Sequence, residues 1–268
     1  LKYNLNDQNS LRLGASKTYT LPQAKEISPY RYVGVNFNSQ GNPNLKPSDH
    51  YNLDLKWDFN PTSTELISLT AFYKLIKNPI SRIEVASAGG YLSYENIADK
   101  ATVAGVEVEI RKNLFVRPVS NAAHGMNKLS LGLNGSYIYT NAKMPLATVT
   151  TGSQLEGAAP WIVNFDLSHN FTKGERSFVN TLVLNYVSDK IYTIGTQGYQ
   201  DMMEQGVLRL DFVSQAKLNK HLSLNLKARN LLNPSYKLSR KANENGEKVI
   251  LNDYKKGINI SLGVSCTF

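Results

Sequence analysis

Several features common in soluble and helical membrane proteins are missing from this sequence. It has one cysteine in 268 residues, Cys266, so no internal disulfide framework can form. No stretch approaches the roughly 18 consecutive apolar residues of a membrane-crossing helix. Charged residues make up 19% of the chain, against roughly 25% in a typical soluble protein. The opening Leu1-Lys2-Tyr3-Asn4-Leu5-Asn6 has no initiator Met, basic segment or apolar segment, so no signal peptide is visible and a mature protein or fragment is expected. These absences exclude a disulfide-rich secreted domain, a helical membrane protein and a disordered acidic tail. A soluble globular protein and a membrane β-barrel remain. The barrel stays open because its strands spread their apolar residues over alternate positions.

The pattern that is present has a period of two. At the C-terminus Ile258, Ile260, Leu262, Val264, Cys266 and Phe268 alternate with Gly257, Asn259, Ser261, Gly263, Ser265 and Thr267. A strand turns these two sets to opposite faces. The same pattern recurs in Tyr51, Leu53, Leu55, Trp57 and Phe59, in Ile67, Leu69, Ala71 and Tyr73, and in Ala104, Val106, Val108 and Ile110. Further rows are Leu129, Leu131 and Leu133, then Trp161, Val163, Phe165 and Leu167, then Leu208, Leu210 and Phe212, then Leu222, Leu224 and Leu226. None of these rows contains Lys, Arg, Asp or Glu. The segment around 178–186 is apolar on both parities and leaves its facing open. The opposite rows mix Asn, Ser, Thr and Gly with charge, which suits a wet, partly packed lumen.

About eleven strands are predicted, at 1–6, 10–20, 48–59, 66–78, 101–112, 128–141, 160–171, 176–189, 206–217, 221–230 and 256–268. Short gaps alternate with long ones at 21–47, 79–100, 142–159, 190–205 and 231–255; only 113–127 breaks the alternation. Short periplasmic turns and long external loops are the mark of an up-and-down transmembrane β-barrel. Aromatic residues gather near strand ends, among them Tyr19, Tyr51, Trp57, Tyr139, Trp161 and Phe171, where a bilayer has its interfaces. An all-β, antiparallel outer-membrane barrel is therefore expected.

Longer motifs sharpen this. Gly41-Asn42-Pro43-Asn44-Leu45-Lys46-Pro47 precedes a strand, Tyr94-Glu95-Asn96-Ile97 precedes Gly105-Val106-Glu107-Val108-Glu109, and Arg229-Asn230-Leu231-Leu232-Asn233-Pro234 precedes the terminal strand. In this order and spacing the chain resembles the C-terminal half of the barrel of TonB-dependent outer-membrane receptors, in a Bacteroidetes-type flavour. The resemblance implies that residues 1–268 are 10–11 strands of a 22-stranded barrel, with the N-terminal barrel half and the plug domain lying outside this chain. It further implies energy from TonB through that N-terminal region and a scarce nutrient as ligand: an iron–siderophore, haem, cobalamin or an oligosaccharide. Phe268 resembles the terminal barrel-assembly signal of outer-membrane proteins.

Candidate sites are few. Tyr30, Arg31, Tyr32 and Phe37 share a long external loop, where aromatics beside Arg suit a small-molecule or glycan ligand. Gly41, Asn42, Pro43, Asn44, Leu45 and Pro47 read as a structural lead-in to a strand. The histidines His50, His124, His169 and His221 share no ligand spacing, and neither metal nor cofactor is expected. No nucleophile–base arrangement or phosphate loop stands out, so no enzyme is expected. The formal charge of +9 comes without a recognition motif, so nucleic acid is not an expected partner, whereas outer-membrane lipid is. Nutrient import is the leading reading. The alternatives are a passive outer-membrane channel or surface-adhesion barrel and, third, a soluble β-sandwich binding module.

Overall fold

Eleven strands run up and down in one antiparallel sheet. The computed structural model describes residues 1–87, 90–119, 125–144, 154–242 and 246–267. In chain order its elements are β1 (Lys2–Asn4), β2 (Asn9–Thr20), α1 (Ala24–Ile27), β3 (Arg31–Tyr32), β4 (Ser39–Gln40), β5 (Ser48–Phe59), β6 (Leu66–Lys77), β7 (Ile80–Val85), β8 (Tyr91–Asn96), β9 (Lys100–Pro118) and β10 (Met126–Ala142). There follow β11 (Trp161–Lys173), β12 (Arg176–Val187), β13 (Lys190–Thr193), β14 (Met202–Glu204), β15 (Val207–Lys217), β16 (Leu222–Arg229), β17 (Ser235–Lys241), β18 (Lys248–Lys255) and β19 (Asn259–Cys266). The wall has the order β1-β2-β5-β6-β9-β10-β11-β12-β15-β16-β19. Its neighbours follow the chain, so each strand is the expected one, and the all-β up-and-down reading holds.

The register carries the sequence alternation across the wall. Leu13, Leu55, Ala71, Val106, Tyr137 and Trp161 lie in one cross-strand row. Three residues along lies the row Ser10, Asp58, Ser68, Glu109, Asn134, Asn164, Asn185 and Arg209, on the other face. The first face stays uncovered: Leu55 is 50% exposed, Leu69 46% and Leu262 70%. An apolar sheet face of this size far exceeds the few hundred Å² that a monomeric soluble protein exposes, and it suits lipid. The ambiguous segment resolves here, with Leu182, Leu184 and Tyr186 on the apolar face and Val179 and Val183 on the polar one. Both margins of the wall are open. β1 covers only Ser10–Arg12 of β2, and every residue of β19 is exposed.

The break at 113–127 largely disappears. β9 continues to Pro118 and β10 starts at Met126. A β-bulge between Leu129 and Ser130 leaves Leu114 as the extra residue opposite, so β9 changes phase there. Alternation fails at Leu114-Phe115-Val116 while the strand continues. Phe268 and His124 lie outside the described residues.

The long loops are folded. They build two four-stranded sheets, β3-β4-β8-β7 and β13-β14-β17-β18, joined by a parallel bridge from Ile83 to Ile194. The larger hydrophobic core lies here. Ile83, Ile97, Ala98, Leu155, Ile191 and Ile194 of the loops pack with Ala101 and Ala142 of the wall, and Ile76 and Val103 join them. By register these wall residues lie on the polar face. The loops therefore fold inward over that face at one end of the wall and form a cap.

Candidate functional site

Three of the sequence motifs turn out to be clamps. Gly41 sits where a Cβ would come within 2.5–2.7 Å of the carbonyl oxygens of Ser28, Lys25 and Glu26, so only glycine allows this approach. Beside it, the Asn42 amide donates to Glu26 O at 2.6 Å and its side chain donates to Tyr94 O at 3.0 Å. Asn96 accepts from Lys46 N at 2.8 Å and donates to Lys46 O at 3.0 Å and Asn78 O at 2.9 Å. The two motifs thus bind each other across two loops. At the far side Asn230 donates to Gly257 O at 2.7 Å, and Asn233 accepts from Gly257 N at 3.0 Å. Gly105 leaves room for the Phe72 ring of the neighbouring strand.

The second buried cluster joins four loops: Leu92, Met202 and Leu238, with Phe37 and Tyr192 packed on it. Two cavities flank it and share Asn36, Phe37 and Tyr192. One, of about 450 Å³, is also lined by Glu204, Tyr236, Lys237 and Tyr254. The other, of about 340 Å³, is also lined by Lys25, Arg82 and Tyr94. The Arg82 guanidinium stacks over the Tyr192 ring at 4.4 Å, and its Nη2 pairs with Glu156 at 3.3 Å. Arg82 Nε is buried with no hydrogen-bond partner. Aromatic walls with fixed cations are the surface that an anionic, conjugated ligand fits.

Ion pairs hold the cap. Arg240 of β17 pairs with Glu84 of β7, with side chains only 15% and 12% exposed. Glu156 accepts from Arg82 N at 2.5 Å. Burial pushes the Glu156 carboxyl above its ordinary value of 4.5, and the Arg82 amide and charge offset this only in part. Burial moves Glu95 in the same direction. The folded chain therefore holds these protons more tightly than the unfolded one. Their contribution to stability is full below about 4.5 and falls as pH rises through the raised folded value. Thermal unfolding of the intact protein against pH should show this loss, and Glu156→Gln, which keeps an acceptor for Arg82, should flatten it.

The predicted loop quartet separates. Phe37 reaches both cavities. Arg31 lies over Tyr91 of β8 at 5.8 Å and so packs against a second loop, Lys25 lies over Tyr32 at 5.6 Å within the same loop, and Tyr30 is exposed. None of the three lines either cavity. Sequence reasoning missed Arg82, Glu84, Glu156, Tyr192 and Arg240, which come from loops far apart in the chain and share no local signal. Along the wall, Asn134, Asn164 and Asn185 form a hydrogen-bonded ladder that ends on Arg209, which donates to Asn185 at 2.7 Å. Asp58 takes both Arg12 and Lys56 at 3.4 Å. Asp211 accepts a 2.7 Å bond from the Asn230 amide, where the strand ends in a left-handed turn at Asn230. The three described histidines bond Thr20, Asn127 and Thr267 separately.

Residues 1–231 match the family described as TonB dependent receptor-like, beta-barrel. The chain belongs to that family. Its members are outer-membrane transport proteins and not enzymes, so the apolar face meets lipid and the polar face lines the lumen. The chain is 25% identical over 219 residues to an iron-regulated outer membrane virulence protein of Vibrio cholerae, covering 78% of this chain and 31% of that protein. It thus spans about a third of the length of that curated relative. Among solved structures, the ferric yersiniabactin uptake receptor FyuA of Yersinia pestis is 15% identical with a TM-score of 0.62. The copper transporter OprC is 14% identical with a TM-score of 0.66. Both superpose on all of this chain, which covers 36% and 38% of theirs. At such identity the likeness is one of fold, and the two differ in what they carry.

Proposed function

We propose that this wall is a portion of a longer barrel that imports an iron chelate across the outer membrane, energised by TonB. Phe37, Tyr192 and Arg82 hold the cargo at the mouth. The reading rests on one observation: two cavities meet at the Phe37–Tyr192 wall, ringed by Tyr94, Tyr236 and Tyr254 and by Lys25, Arg82 and Lys237. Aromatic faces and cations together match a chelate that is both conjugated and anionic. The iron-regulated relative and the ferric-chelate receptor among the structures agree with this cargo. In the intact receptor, Phe37→Ala with Tyr192→Ala should weaken ferric-catecholate binding roughly tenfold or more. Uptake of radiolabelled iron should stop when TonB is deleted. Unchanged binding removes the cavities from the site. Uptake that continues without TonB turns the reading to a passive channel.

A further inference from the structure

Arg82 is shared between a cavity and one fixed carboxylate. Its guanidinium lies flat over the Tyr192 ring on the cavity wall. Nη2 reaches Glu156 Oε1 at 3.3 Å, beyond the roughly 2.7–2.9 Å of a tight charge-assisted bond. Nε is buried and has no hydrogen-bond partner. A guanidinium held this loosely keeps donors in reserve for a second anion.

Glu156 has no such freedom. Its Oε2 accepts from the Arg82 amide at 2.5 Å. The backbone on either side is pinned, since Leu155 N donates to Thr140 Oγ1 at 3.0 Å and Gly157 N donates to Ile191 O at 2.9 Å. When the guanidinium turns to an anion, this carboxylate cannot follow it. Among the described residues, the charged groups that act on Glu156 are Arg82 of β7 and Glu26 of α1, and Glu26 is itself an anion. Tyr94 of β8 also faces it, and burial keeps that phenol neutral. Lys25, the other cation of the cavity, is drawn over Tyr32. No second cation therefore takes the place of Arg82. A buried carboxylate that loses its countercharge accepts a proton instead. Burial already holds Glu156 above its ordinary value of 4.5, which shortens that step.

We infer that Glu156 is a positioning residue: it holds Arg82 until an anionic cargo takes the guanidinium, and it then accepts one proton from solvent. The inference rests on the cargo reading above and adds a pH dependence to it. Affinity for an anionic chelate falls as pH rises, because the ionised Glu156 competes for Arg82. An uncharged chelate leaves the pair intact and takes up no proton.

The test is calorimetry of the intact receptor with ferric tris-catecholate as the probe, between about pH 5.5 and 7.5, in two buffers of different ionisation heat. The buffer difference counts the protons taken up on binding. Wild type should take up as much as about one proton more than Glu156→Gln, and the probe's own protons cancel in that comparison. Glu156→Gln should bind about tenfold tighter than wild type at the upper pH and match it at the lower, because Gln resembles the protonated acid. In wild type alone, binding should add a protonated-carboxyl band to the infrared difference spectrum, and isotope-labelled glutamate should move it. That reading needs no variant and stands if Glu156→Gln does not fold. Binding by both proteins with equal proton counts, or a spectrum without the band, overturns the role of Glu156 and leaves the cavities as the cargo site. Failure of wild type to bind the probe removes the cargo reading, and this inference with it.

Discussion

Leu55→Arg should cost the folded barrel about 2–4 kcal/mol, while Thr70→Arg one row away should cost no more than about 0.5 kcal/mol. The two positions lie at similar depth on neighbouring strands. Leu55 points to lipid in the row of Leu13 and Ala71, where a guanidinium has no partner and little water. Thr70 points to the lumen, directly between Lys56 and Glu107, where the new cation finds a carboxylate. Urea titration of the intact receptor in phospholipid vesicles measures both. Equal costs would mean that the faces are not distinguished by solvent.

Glu84→Ala should loosen the cap by about 3–5 kcal/mol, because it leaves the Arg240 cation buried without its partner. The double replacement Glu84→Leu/Arg240→Met should cost much less, since an apolar pair of similar volume removes both charges together. Hydrogen exchange of the β7 and β17 amides reads the change locally, where a global melt would dilute it. If the double variant is as loose as the single one, the pair contributes geometry that packing cannot replace. If neither is loose, the cap is held by its apolar cluster alone.

The wall was legible in the sequence because each of its strands has one face in lipid and one in a wet lumen. That asymmetry writes a period of two into rows such as Tyr51 to Phe59 and Ile258 to Cys266. Where a bulge changed the phase, at Leu114, the strand continued unseen. The cap was not legible for the opposite reason. In β7, Ser81 and Ile83 are buried while Arg82 and Glu84 are half-buried, so its two faces do not differ enough to alternate. β3, β4 and β14 run only two or three residues, too few for a period to be read. The candidate site fared similarly. Phe37, which lines both cavities, could be picked out because an aromatic in a long loop stands out. Its partners Tyr192 and Arg82 come from other loops, and only folding brings them together. The Gly41–Pro47 segment was legible as structure, and the three carbonyls around Gly41 supply the reason.

The central claim is that one face of β5 meets lipid and the other meets the lumen. Its most direct test is a nitroxide scan of residues 51–59 in the intact receptor in bilayers, after Cys266, the one cysteine of these 268 residues, is changed to Ser. Collision rates with oxygen and with a polar nickel reagent are then measured at each position. Labels at 51, 53, 55, 57 and 59 should favour oxygen, and those at 52, 54, 56 and 58 should favour nickel, in strict alternation. Equal access of the nickel reagent to both sets would contradict the account.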